Sequence, residues 1–94
     1  MRKRKTKAIQ QAAHKCADLV WFRRHVVLRQ MRKMGMVQIE PETWEDAEKV
    51  AAMLEYKYPT GELYPQSEFE WGMLNGKLSA LRWALGADWD VLDT

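Results

Sequence analysis

The sequence contains little cysteine and no long apolar run, and both absences exclude large classes of protein. Cys16 is the only cysteine among 94 residues, which excludes an internal disulfide framework and a cysteine-based zinc cluster. No apolar stretch approaches the roughly 18 residues that a membrane-spanning helix needs. The basic N-terminus is not followed by the apolar segment of a secretory signal peptide, so we expect a cytoplasmic protein without membrane partners.

Motifs that carry catalysis or bind cofactors are also missing. The sequence has no glycine-rich phosphate loop, no nucleophile elbow and no catalytic constellation of histidine and carboxylates. His14 and Cys16 point to nearly opposite sides of a helix, and His14 and His25 lie about 16 Å apart along its axis, which predicts no metal site. The acidic tail lacks the glycine and the terminal glutamate of a calcium loop. We therefore expect a non-enzymatic protein with no cofactor and no metal.

The residues that are present fit one small globular domain. Hydrophobic residues make up 47% of the chain and charged residues 30%, which is typical of such a domain. Five tryptophans in a chain of this length favour a core built from large aromatic rings. The length leaves room for one domain rather than two.

Charge is divided very unevenly along the chain. Residues 1–34 contain eleven Lys and Arg and a single carboxylate, Asp18, for a net charge of +10. Residues 35–94 contain four Lys and Arg and twelve carboxylates, for a net charge of −8. Such asymmetry indicates a nucleic-acid or acidic partner. Neutralisation of the basic part by the acidic part of the same chain is the alternative.

The basic part predicts one long amphipathic helix over Thr6–Met34. It contains no proline and no internal glycine, and Gly35 stands where a helix C-cap belongs. At 100° per residue, apolar side chains fall in one sector and cationic side chains in the opposite sector. This segregation is typical of a helix with one packed side and one wet, cationic side.

The acidic part predicts two shorter helices. Met36–Glu40 alternates weakly and could form a short strand or an extended linker. A second helix is expected over Thr43–Tyr58, with Thr43 as its N-cap after Pro41. Ser67 and Glu70 form a capping box that opens a third helix, which ends near Leu85.

Two features of the third helix predict that it is central. Phe69, Met73, Ala80 and Ala84 line one side, while Trp71, Leu74, Leu78, Leu81 and Leu85 line another. Gly72 and Gly76 each cost about 1 kcal/mol relative to alanine inside a helix. Close approach of a neighbouring helix or a large ring would explain them.

The predicted fold is therefore all-α, with three helices and a long first helix. We divide it into a flexible basic arm (1–7), the long helix (8–34) and an acidic helical part with the tail (43–94). The first helix is about 43 Å long against about 24 and 27 Å for the others, so part of its apolar side lacks a partner. A second copy or another protein would cover it. The expected interface residues are Ile9, Ala13, Cys16, Val20, Arg23, Arg24, Val27, Trp89 and Leu92.

The cationic side and the arm form the predicted functional surface, a nucleic-acid interface. Basic groups neutralise phosphates, and aromatic rings stack on bases. The expected phosphate ligands and stacking groups are Arg2, Lys3, Arg4, Lys5, Lys7, Lys15, Trp21, Phe22, Arg29, Arg32 and Lys33. The DNA or RNA hypothesis has a rival, a protein–protein adaptor such as a regulatory subunit or phage-encoded inhibitor. In that case the basic side is solvated, and Trp21 and Phe22 pack under the acidic helices.

The C-terminal third carries a sequence resemblance. The run GKLSALRWALG at 76–86, followed by WD at 89–90 and LDT at 92–94, resembles the ending of small uncharacterised bacterial and phage proteins. It covers about a fifth of the chain and implies no activity and no functional residue. It implies a prokaryotic or viral intracellular setting and an ordered tail.

Overall fold

All regular secondary structure in the described residues is helical. A computed structural model describes residues 3–64 and 67–87. Those residues form four helices, α1 (Thr6–Lys33), α2 (Pro41–Lys57), α3 (Thr60–Leu63) and α4 (Glu68–Ala84). No strand occurs within the described ranges. The all-α class and the long N-terminal helix are therefore confirmed.

The first helix, α1, has 28 residues and stops where glycine was expected to stop it. Gly35 has a φ of +73°, a backbone conformation that costs glycine little because it has no Cβ. The N–H of Gly35 donates to the carbonyl of Arg32 at 3.1 Å, and the N–H of Met36 donates to the carbonyl of Met31 at 2.9 Å. These two bonds make a Schellman motif, which satisfies the last carbonyls of α1.

The predicted strand over Met36–Glu40 does not form. Residues 37–40 have no regular secondary structure. A five-residue alternation needs a neighbouring strand to accept and donate its hydrogen bonds, and the described residues supply none. The segment is the linker of the other interpretation, and it leads directly into α2.

The N-terminus of α2 differs from the prediction, which placed the N-cap at Thr43. The helix begins at Pro41, and Glu40 occupies the N-cap position without a side-chain hydrogen bond to the backbone. Proline suits the first helical position because its φ is already helical and its missing N–H would have no partner there. Pro41 therefore starts the helix two residues before Thr43.

The remaining helices are short or well capped. The expected loop after Tyr58 contains one helical turn, α3, whose Leu63 is buried. The predicted N-cap of α4 is confirmed, since Ser67 Oγ accepts from the Glu70 N–H at 3.2 Å. Gly86 closes α4 with a φ of +109°, and the N–H of Ala87 donates to the carbonyl of Arg82 at 2.9 Å.

Contacts divide the described residues into two units, and each has its own buried side chains. In the unit of residues 3–20 and 67–87, the buried apolar residues are Ala13, Leu19, Val20 and Leu78. In the unit of residues 21–64, the buried apolar residues are Phe22, Ala51, Leu54 and Leu63. His25 is buried in the second unit as well.

Among the described residues, α4 packs on one side and not on the two sides that we expected. Leu78 is buried, but Phe69, Met73, Ala80 and Ala84 are exposed. Within the described ranges, a Cβ built on Gly72 or Gly76 would have no heavy atom of a neighbouring element within 4 Å, so these glycines mark no close approach there. The apolar pattern on both sides of α4 therefore did not predict which side the described residues cover.

Replacing two of the glycines by alanine should have opposite effects on stability. Gly35→Ala should lower the free energy of unfolding by about 1 kcal/mol, since an L-residue at positive φ is strained. Gly76→Ala should raise it by about 0.5–1 kcal/mol in dilute protein, because alanine is the better helix former and space is open there. Urea denaturation measures both. A destabilising Gly76→Ala would show that this side of α4 is covered.

Candidate nucleic-acid interface

The predicted phosphate ligands at the start of the chain are exposed and close together in sequence. Lys3, Arg4 and Lys5 precede α1 and Lys7 lies in its first turn, and all four are exposed. We call these four residues the basic arm. Lys15 is exposed two turns later, and Arg2 lies outside the described residues.

The first turn of α1 has no acidic residue to balance the basic arm. Four backbone N–H groups are unpaired at a helix N-terminus, and the helix dipole adds about half a positive charge there. Most helices place Asp or Glu at this end, whereas this one places cations. The positive potential of the arm and the helix end therefore add, and an external anion would stabilise both.

Two further predicted ligands, Arg32 and Lys33, lie at the opposite end of α1. Both are exposed, and both lie in the last turn, where the negative end of the dipole favours cations. The Cζ atom of Arg32 is 4.8 Å from the ring centroid of Trp44, a cation–π contact. These cations therefore already have favourable surroundings within the chain.

Arg29, one of the predicted phosphate ligands, is paired with the chain's own carboxylates. Its Nε donates to Glu48 Oε1 at 2.8 Å and its Nη2 donates to Glu48 Oε2 at 3.2 Å. The same Nη2 reaches Glu55 Oε1 at 3.4 Å. Hydrogen bonding to Glu48 raises the pKa of Arg29, and hydrogen bonding to Arg29 lowers the pKa of Glu48.

Phe22 cannot be a stacking group for bases, because its side chain is 0% exposed. Its ring meets Tyr64 edge to face, with centroids 5.3 Å apart. The Arg29 guanidinium carbon lies 6.0 Å from the Phe22 centroid. The alternative in which Phe22 packs inside the chain is therefore the correct one.

Trp21 belongs to a three-ring stack that the sequence did not predict. His25, considered above only as a metal ligand, is 4% exposed. Its ring stacks on Trp21 and on Trp44, with centroids 4.9 Å apart in both pairs. Its Nε2 is 2.8 Å from Glu48 Oε1. Trp21 is partly exposed, but one ring face is occupied by His25.

The four-residue spacing of Trp21, His25 and Arg29 was the signal that could have indicated this arrangement. Positions four apart lie above one another on a helix. A carboxylate on the neighbouring helix can then meet both His25 and Arg29. Nothing in the sequence selected Glu48 from the other carboxylates of α2.

The predicted interface residues differ in how far their side chains are buried. Ala13 and Val20 are buried within the chain, so their assignment to an interface between copies is wrong. Val27 and Arg24 are exposed. The partly exposed predicted residues are Ile9, Cys16 and Arg23. Trp89 and Leu92 lie outside the described residues.

Cys16 has the environment of a packing residue. It is partly exposed, and burial raises the pKa of its thiol, an effect that Lys77 and Lys15 oppose. Thiolate is the reactive form of cysteine, so a raised pKa lowers its reactivity. Among the described residues, no group of three or more His, Cys, Asp or Glu could hold a metal ion.

Comparison with protein families, with curated proteins and with solved structures gives no match. Within the described ranges, no helix is long and apolar enough to cross a bilayer. The proposal for its function therefore rests on the geometry and charge of the chain.

Removing the Glu48 carboxylate should destabilise the protein in a pH-dependent way. Glu48→Gln should lower the free energy of unfolding by about 1 kcal/mol near neutral pH, since it weakens charge-assisted hydrogen bonds at a half-exposed site. The folded state lowers the pKa of Glu48 from 4.5. Its stabilisation is therefore present above that pH and is lost as the pH falls through the lowered value.

Glu45→Gln is the matched control on the same helix, because Glu45 pairs only at 3.8 Å with exposed Lys49. It should change stability by at most a few tenths of a kcal/mol. Urea denaturation at several pH values measures both variants. Equal effects, or a Glu48→Gln effect that persists in acid, would contradict the assigned role of Glu48.

Proposed function

We propose that this protein binds nucleic acid without sequence specificity, through phosphate contacts made by the basic arm. The observation that carries the proposal is the arm itself, four exposed cations at an N-terminal helix end without acids. Cations of this kind displace the counterions condensed on a polyanion. An intact phosphate backbone supplies anions at a spacing that several neighbouring side chains can use together.

At the two predicted stacking positions of α1, the structure favours backbone contact over base stacking. Phe22 is buried, and one face of Trp21 is covered by His25. Single-strand binders need free aromatic faces for successive bases. We therefore infer that α1 binds duplex DNA at least as strongly as a single strand of equal length.

Lys15, which is also exposed, extends this surface along α1. Arg29 takes no part in the proposed contact, because its charge is paired with Glu48 and Glu55. Among the described residues, the acidic part of the chain thus neutralises one cation in the second half of α1.

The salt dependence of binding tests the proposal. Anisotropy of a labelled random-sequence duplex should show log K falling linearly with log salt. Lys5→Gln with Lys7→Gln should flatten this slope by about 2, since each lost phosphate contact contributes about 1.

A charge-matched double variant on α2 is the control. Lys49→Gln with Lys57→Gln removes the same number of exposed cations and should leave the slope near that of the original protein. Equal flattening by both double variants would assign the effect to net charge alone. Affinity that does not fall as salt rises would refute the proposal.

A second proposal is a protein–protein adaptor, and the unit of residues 21–64 favours it. Tyr56 and Met53 on α2 are 95% and 67% exposed, although both side chains are large and partly apolar. A groove of about 390 Å³ lined by Trp21, Val27 and Leu28 lies in the same unit. Exposed apolar surface of this kind marks interaction sites.

Nuclease treatment separates the two proposals. A stoichiometric protein partner that remains bound after nuclease treatment, and that is lost in Met53→Asp, would support the adaptor. Loss of every partner on nuclease treatment would leave nucleic acid as the ligand.

A further inference from the structure

One side of α4 combines large apolar side chains with small residues and is open to solvent. We call it the outer face of α4, and its members are Phe69, Gly72, Met73, Gly76, Ala80 and Trp83. All six are exposed, and at 100° per residue they fall within a sector of about 100°. Leu78, on the opposite side of the helix, is buried.

The exposure of this face is costly for the chain by itself. Phe69 is 76% exposed and Trp83 is 55% exposed, so much of their apolar area gains nothing from folding. Gly72 and Gly76 weaken the helix, yet among residues 3–64 and 67–87 no neighbouring element comes within 4 Å of a Cβ built on either. A second helix packed against this face would bury the aromatic rings, and the glycines would let the two backbones approach closely.

The order of residues along the outer face fits a second copy of α4 running in the opposite direction. With a two-fold axis at Gly76, that residue meets its own copy, Gly72 meets Ala80 of the second copy, and Phe69 meets Trp83 of the second copy. Small residues then lie at the centre, where crossed helices are closest, and rings lie at the ends, where they diverge. A two-fold interface requires this kind of self-complementary pattern.

Charge along α4 selects the antiparallel direction. Glu68 and Glu70 lie in the first turn and Arg82 lies in the last turn. In an antiparallel pair Glu68 and Arg82 of the second copy lie on the same flank, about 3 Å apart along the helix axis, whereas a parallel pair would place like charges together. We propose that α4 forms an antiparallel, two-fold symmetric contact with α4 of a second copy.

The available area indicates a weak dimer. The 17 residues of α4 span about 26 Å, and a helix is roughly 10 Å wide. The face therefore offers a few hundred Å² per copy, at or below the lower limit of stable interfaces. The dimer should form at high micromolar concentration and dissociate on dilution.

Sedimentation velocity of the full chain, freed of nucleic acid, tests the contact. The original protein should pass from monomer to dimer as concentration rises. Gly76→Glu should weaken dimerisation on the order of a hundredfold, because it places two like charges at the two-fold axis. Gly61→Glu, at an exposed helical glycine with open space around it, should dimerise as the original does.

Circular dichroism should show undiminished helix in Gly76→Glu, since glutamate is the better helix former. A monomer at every concentration, as expected if the tail or another protein covers this face, would overturn the proposal. Dimerisation of Gly76→Glu equal to that of Gly61→Glu would overturn it too.

Cysteine crosslinking tests the direction of the pair. In a Cys16→Ala background, Gly76→Cys should form a disulfide-linked dimer under mild oxidation, because the two thiols meet at the axis. Ala84→Cys should not, since its two copies would lie about 24 Å apart along antiparallel helices. Efficient crosslinking through both positions would indicate a parallel pair, and failure at position 76 would refute the two-fold arrangement.

Discussion

Within residues 21–64, the Glu48 carboxylate links α2 to α1. It accepts hydrogen bonds from Arg29 on α1 and lies 2.8 Å from the ring nitrogen of His25. His25 is also buried between the indole rings of Trp21 and Trp44. A carboxylate shared by two groups one turn apart fixes the register of α2 on α1. Glu48 also neutralises the charge of Arg29, one of the cations of α1.

The cations that we propose as phosphate ligands are concentrated at the N-terminal end of α1. At the C-terminus of α1, the dipole and the ring of Trp44 already stabilise the positive charge of Arg32. At the N-terminus, the dipole opposes the charges of Lys5 and Lys7, and the first turn has no carboxylate. Within the part of the chain that the structure describes, cations are therefore stabilised at one end of α1 and opposed by the dipole at the other. This difference, rather than net charge, locates the proposed phosphate surface.

Features set by neighbouring residues in the sequence were predictable. The limits of α1, the Ser67 cap and the glycine stops at Gly35 and Gly86 depend on local backbone chemistry, and each agrees with the structure to within a residue. Thr43 failed as a cap because two local preferences competed, and Pro41 at the first helical position prevailed. The strand near residue 38 failed because a strand depends on a partner that lies elsewhere in the chain.

Features that depend on distant contacts were not predictable in the same way. The sequence left open whether Phe22 stacks on bases or packs under the acidic helices, and only the contacts within residues 21–64 show that it is buried. The apolar residues of α4 were expected inside, and Gly72 and Gly76 were expected to contact a neighbour. Periodicity records which side of a helix is apolar, but not whether this chain covers it.

An NMR titration compares the basic start of the chain with the acidic residues of α2 in a single experiment. Backbone amide shifts are followed while a short DNA duplex is added at low salt. The account predicts that the largest changes fall on residues 3–15 and that Glu48–Glu55 of α2 change little. Changes centred on Arg29, Glu48 and Glu55, or the absence of any change, would contradict it.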